Sequence, residues 1–148
     1  MIIRCATAAD VPAIVALLAD DEIGAHRETP DDLSPYLRSF AAIDASPRES
    51  LVVAERDGEV VGTLQLTVLP GLSQRGMVRA QVEGVRVAGK LRGEGLGEEL
   101  VRWAVAEARV RGCSIVQLMS DQRRADAHRF YSRLGFQPTH QGFKLRLS

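Results

Sequence analysis

Three glycines, Gly93, Gly95 and Gly97, stand at alternate positions in the stretch LRGEGLGEEL (residues 91–100), directly before a run with helical periodicity. Glycine loses more conformational freedom on folding than any other residue, so this clustering points to a backbone that is approached closely or bent unusually. Amides at a helix start are unpaired and sit at the positive end of the dipole, which makes the segment a receiver for phosphate or diphosphate. Arg92 adds a full positive charge beside them.

Two other phosphate signatures are nearly spelled, and both fail. The dinucleotide fingerprint GxGxxG, counted from Gly93, ends on Glu98 and follows a run that reads as antiparallel strand. GVRVAGKL (residues 84–91) approaches the Walker loop, yet Leu91 stands where a Ser or Thr hydroxyl must hold magnesium. Cys5 and Cys113 have no paired spacing, and His26, His128 and His140 are scattered. No metal site or disulfide framework is expected, and both cysteines read as buried small hydrophobes in a reducing compartment.

RGEGLG fits the pattern Q/R-x-x-G-x-G/A. With VEGVRV (82–87) upstream and DAHRFYSRLGF (126–136) downstream, the chain resembles the GNAT superfamily of acetyl-CoA-dependent N-acetyltransferases over nearly its whole length. The resemblance implies that Arg92, Gly93, Gly95, Leu96 and Gly97 form the loop whose amides receive the cofactor diphosphate. It assigns Val85 and Val87 to the strand whose main chain pairs with pantetheine, with Gly84 suited to the bulge that the family carries there. Tyr131 matches the tyrosine near the thioester sulfur, and Phe130 reads as core packing. Arg124 departs from the pattern, standing where the family commonly has a cofactor-contacting Asn.

N-acetylation sets a protonation problem. An alkyl amine with a pKa near 10.4 is unprotonated in only about one molecule in 2,500 at pH 7, so the site must accept a proton as well as orient the amine. Glu83, on the fourth strand two residues before Val85, is the candidate base; the alternative is a solvent-facing strand glutamate. Tyr131 is the candidate acid for the leaving thiolate, the alternative being a core aromatic with its hydroxyl at the surface. A fourth-strand amide near Val87 would stabilise the developing oxyanion.

These residues need a scaffold, and the hydrophobic periodicity supplies most of it. Residues 2–6 read as a strand, and Thr7 with Asp10 opens a helix whose Val11, Ile14, Val15 and Leu18 share a face. After the patternless DDEIGAHRETP, Leu33, Tyr36, Leu37, Phe40 and Ile43 recur at helical spacing until Pro47. SLVVAERDGEVVGTLQLTVL is a hairpin turning at Asp57-Gly58, and MVRAQVEGVRV is the fourth strand. Leu96, Leu100, Trp103, Ala104 and Ala108 form a helical stripe that stops at Gly112, followed by the strand SIVQLM. ADAHRFYSRLG is a short helix closed by Gly135, and FQPTHQGFKLRL reads as a final strand pair broken near His140 and Gly142.

The expected architecture is α/β of the α+β type and GNAT-like, a single domain over residues 1–148. Its mixed, largely antiparallel sheet has six to seven strands flanked by about four helices, with strands four and five splayed. At 148 residues the chain can bury one self-sufficient core. Its 19 basic and 19 acidic residues give zero net charge, which argues against nucleic acid or an anionic membrane as partner. No run approaches about 18 apolar residues, and Arg4 and Asp10 interrupt the start before a signal-length stretch forms, so a cytoplasmic protein is expected. The acidic group Asp20, Asp21, Glu22, Glu28, Asp31 and Asp32 reads as helix capping and solvation, the alternative being attraction of a cationic amine to the substrate side. The expected function is acetyl transfer to a primary amine of a small molecule or peptide. A non-catalytic acyl-CoA-binding or sensing domain is the alternative, because fold alone does not guarantee catalysis. A homodimer through the terminal strands is the further partner left open.

Overall fold

The computed structural model describes residues 1–148. One sheet carries β1 (Ile2–Cys5), β2 (Glu49–Arg56), β3 (Glu59–Pro70), β4 (Val78–Val87) and β5 (Ile115–Leu118) in sequence order. The first four strands are antiparallel neighbours, and β5 lies parallel to β4. Six helices accompany them: α1 (Val11–Ala19), α2 (Glu22–Arg27), α3 (Ser34–Ala45), α4 (Ser73–Gly76), α5 (Leu96–Val110) and α6 (Ala125–Arg133). α4 is a single turn in which Gln74 and Arg75 take positive φ, 53° and 63°.

The counts correct the expectation of six to seven strands and about four helices. Residues 137–148 take neither strand nor helix, so the final strand pair is not formed. Phe143, Leu145 and Leu147 alternate as a strand would, but each is more than four-fifths exposed, with no neighbouring strand to cover it. The extra helices are short. α2 arises from one local device, the Asp21 carboxylate accepting the Gly24 amide at the helix start, which six residues cannot announce through periodicity.

Other local signals act as their chemistry dictates. Asp57 and Gly58 both take positive φ, 53° and 78°, as a tight two-residue hairpin turn requires. The Thr7 amide donates to Asp10 Oδ2 at 2.7 Å, and the Arg4 guanidinium clamps the same carboxylate at 2.8 and 2.9 Å while reaching Glu55 at 2.8 Å. β1, the start of α1 and β2 are thereby tied together.

α5 covers one face of the sheet, its Leu96, Leu100, Ala104 and Ala108 packing on Val52, Ala54, Leu64, Leu66, Ala80 and Val82. Leu64, Leu66 and Leu100 are fully buried, each burial stabilising by about 1.5–3 kcal/mol. α1 covers the other face through Ile14, which joins Ala6 and Val53, with Leu18 and α3's Phe40 packed alongside. Neither cysteine is buried: Cys5 is exposed and Cys113 is half-buried beside the α5 core.

Two irregularities of β4 shape the site. Its ladder with β5 runs only from Arg79 opposite Ile115 to Val82 opposite Leu118, leaving Glu83 to Val87 with no strand on that edge. Along the other edge, Thr63 faces Arg86 and Gln65 faces Glu83, so Leu64 alone lies opposite both Gly84 and Val85. This is a β-bulge, and Gly84 takes it at φ 63°, a conformation that L side chains rarely adopt.

Candidate active site

The unpaired edge of β4 opens beside the N-terminus of α5. Gly95 caps that helix in the left-handed region at φ 84°, and Gly93 precedes it at φ 87°. The amides of Gly93, Gly95, Leu96 and Gly97 donate to no protein acceptor, whereas Arg92 and Glu94 donate to Gly89 and Leu91 carbonyls at 3.3 and 3.4 Å. Four free donors and the positive end of a fifteen-residue helix therefore meet in one short loop.

The three glycines serve different purposes. A Cβ on Gly93 or Gly95 would meet nothing within 4 Å, so these two are required by their backbone conformation. Gly97 has no such need; a Cβ there would come within 3.3 Å of the Phe130 ring, so its bareness lets α6 close on α5. Phe130 is half-buried and packs at Gly97, outside the buried core clusters where it was expected. Leu96 is buried, contributing its amide to the loop and its side chain to the core. The Arg92 guanidinium donates to the Asp20 carbonyl at 2.9 Å, tying the loop to the end of α1.

On β4, the Ala88 amide just beyond the strand donates to Val61 on β3 at 2.8 Å, so alternation turns the Val87 N–H toward the open edge. The Val85 carbonyl accepts from Arg86 Nη1 at 2.9 Å. Glu83 and Arg86 share the α1 side of the sheet, because their cross-strand partners Gln65 and Thr63 do. Partial desolvation pushes the Glu83 carboxyl pKa above its ordinary value, the nearby Glu49 carboxylate raises it further, and Lys144 opposes both. Glu49 is itself held by Thr67 Oγ1 at 2.7 Å and Gln65 Nε2 at 3.2 Å.

Tyr131, on α6, is half-buried, with its ring edge-on to Phe130 at 5.1 Å and to Phe136 at 5.7 Å. Burial pushes its hydroxyl pKa up, and the Arg86 and Arg124 guanidiniums pull against that rise. Those two arginines act on the hydroxyl electrostatically and share one counterion. Arg124 donates to Asp21 Oδ2, and Arg86 Nε stands 3.9 Å from the same oxygen. Burial would raise the Asp21 pKa, but the Arg124 hydrogen bond, the Gly24 amide and the two positive charges hold it below the usual carboxylate value.

Arg86, Arg124 and Asp21 were not among the expected site residues. Asp21 was one of six acidic residues read as capping; it does cap α2, yet it also bridges two elements. The signal for Arg86 was a charge on an inward face, readable only once the bulge had set the register. Next to this cluster lies a cavity of about 440 Å³ between α1, α3 and the sheet, lined by Leu18, Arg27, Tyr36, Phe40, Gln65 and Gly84 among others. His128 is turned away, its Nε2 bonded to the Asp121 carbonyl at 2.9 Å. No three His, Cys, Asp or Glu side chains are grouped to hold a metal ion, and no helix is long and apolar enough to cross a membrane.

An α+β domain with an interrupted β4–β5 ladder beside a glycine-rich helix start defines a class that matches known proteins. The description "Acetyltransferase (GNAT) family" fits residues 11–136, and the chain belongs to that family. It is 31% identical over 144 residues to the aminoalkylphosphonate N-acetyltransferase of Salmonella typhimurium, covering 95% of this chain and 88% of that one. A solved structure from Bacillus halodurans described as a transcriptional regulator is 42% identical with a TM-score of 0.94, covering 99% of both chains. A putative acetyltransferase from Agrobacterium tumefaciens is 27% identical with a TM-score of 0.86, again over 99% of both.

Proposed function

We propose that the protein is an N-acetyltransferase that moves the acetyl group of acetyl-CoA to a primary amine by direct attack in a ternary complex. The observation that carries this reading is the set of free amides at Gly93, Gly95, Leu96 and Gly97 beside the unpaired edge of β4. Those amides suit the two phosphates of the diphosphate, and Arg92 adds charge at the loop's entry. Val85 and Val87 offer the main chain that would align pantetheine once Arg86 releases the Val85 carbonyl. The thioester supplies an activated acetyl group; the remaining work belongs to the chain. Glu83, with its raised pKa, takes the amine proton directly or through water, Val87 N–H stabilises the developing oxyanion, and the Tyr131 hydroxyl protonates the departing sulfur.

A small-molecule acceptor is favoured over a peptide, because the Salmonella relative is named for a small amine and the cavity lined by α1, α3 and the bulge holds about 440 Å³. Release of free thiol from acetyl-CoA on adding a panel of primary amines tests the reading. Amine-dependent release supports it. The Bacillus halodurans description keeps one second reading, an acyl-CoA-binding domain without turnover, which cofactor binding with no amine-dependent release would favour.

A further inference from the structure

We infer that Arg86 and Arg124, with Arg27 beside them, receive an oxyanion carried by the acceptor, so that the substrate is a small amine with a negatively charged group a few bonds from its nitrogen. This rests on the N-acetyltransferase reading above and assigns the part of the site that reading leaves without a role.

Two guanidiniums converge on a single carboxylate, Asp21, and a third, Arg27, stands close enough to Arg86 to act on it electrostatically. Arg27 is matched by Glu28 at 3.0 Å, so the inner trio of Arg86, Arg124 and Asp21 carries an excess positive charge. Its hydrogen bonding is equally unbalanced. Arg86 Nε and Arg124 Nη2 are shielded from solvent and donate to no protein acceptor. A charged donor left unpaired at a shielded position is among the costlier arrangements in a fold, and one anionic ligand with two or three oxygens would satisfy both.

Arginine forks match carboxylate, phosphonate and phosphate groups in geometry as well as in charge. Location selects the acceptor as the bearer of that anion. The cluster acts electrostatically on the Tyr131 hydroxyl and borders the cavity through Arg27, whereas the free amides suited to a diphosphate belong to the Gly93–Gly97 loop. An amine attacking next to the sulfur would therefore have its anionic end between Arg86 and Arg124. Asp21 then acts as an internal stand-in for that anion and yields when the ligand arrives.

Matched two-carbon acceptors test this: 2-aminoethylphosphonate, 2-aminoethyl phosphate and β-alanine against ethanolamine. The anionic members should exceed ethanolamine in kcat/KM by about tenfold or more, the range of one charge-assisted hydrogen bond. Arg86→Gln and Arg124→Gln should each abolish most of that preference, chiefly through KM for the anionic acceptors, so that anionic and neutral members of the series converge. Calorimetric titration with methylphosphonate reads the same site without turnover. Both Gln variants should weaken it, and Asp21→Asn, which retains a cap for α2, should strengthen it. Methylphosphonate binding without amine-dependent thiol release would sink the catalytic reading and leave this site standing. Equal kcat/KM across the series, methylphosphonate affinity indifferent to all three substitutions, or a loss of acetyl-CoA affinity in the Gln variants with anion preference intact would overturn the inference.

Discussion

Replacing Tyr131 with phenylalanine removes one oxygen from a side chain whose ring keeps its packing. The edge-on contacts to Phe130 and Phe136 involve only the ring, and the hydroxyl makes no hydrogen bond within the protein. Stability should therefore change by no more than about 0.5 kcal/mol, as for a substitution that opens no cavity and orphans no partner. Catalysis should change far more. A positioned general acid contributes about 10²–10⁴-fold, so kcat should fall at least about tenfold, some 1.4 kcal/mol of barrier, with acetyl-CoA affinity unaltered because the Gly93–Gly97 amides are untouched. The pH dependence adds a second signature. Burial raises the Tyr131 pKa above its ordinary value near 10, so the acid stays protonated through the neutral range and its own titration lowers the parent's rate only on the alkaline side. That alkaline limb should vanish in the variant. Thiol release followed from neutral to alkaline pH, beside a thermal melt and a calorimetric Kd, measures all three quantities. Parental kcat with the same alkaline limb would remove Tyr131 from the mechanism.

Gly95→Val should lower stability by about 1–2 kcal/mol and weaken acetyl-CoA binding at least about tenfold, because φ 84° suits no β-branched residue and the turn that aims the amides must shift; an unchanged calorimetric Kd would contradict this. Glu83→Gln should reduce kcat/KM and erase its acid limb, which in the parent lies above the ordinary carboxylate value near 4.3 because desolvation and Glu49 raise the pKa; an identical acid limb in the variant would count against Glu83 as base. Asp10 is held at about 2 chiefly by its hydrogen bonds from Arg4, so it stabilises the fold above the unfolded value near 3.9 and loses that contribution as pH falls through about 2. Asp10→Asn should accordingly be less stable than the parent at neutral pH and converge with it in acid, as read by denaturant melts at several pH values.

What was legible in the sequence is what local chemistry decides. Asp57-Gly58 fixes a hairpin by its own backbone preference, the α5 stripe shows its period over fifteen residues, and Gly84 marks the bulge that the β3–β4 register contains. The RGEGLG loop announced its free amides for the same reason, although Gly97 is bare to admit Phe130 and not for its φ. Features that depend on distant partners were not legible. Arg124 meets Asp21 across 103 positions of sequence, and neither residue alone says so. Phe143, Leu145 and Leu147 carry strand alternation, but a strand also needs a neighbour, and β5 ends at Leu118 without pairing to them.

A crystal structure with acetyl-CoA tests the central claim most directly. The account predicts diphosphate oxygens within hydrogen-bonding distance of the Gly93, Gly95, Leu96 and Gly97 amides, and the thioester pointing along the unpaired edge of β4 toward Tyr131. A diphosphate bound elsewhere, with those four amides left untouched, would contradict it.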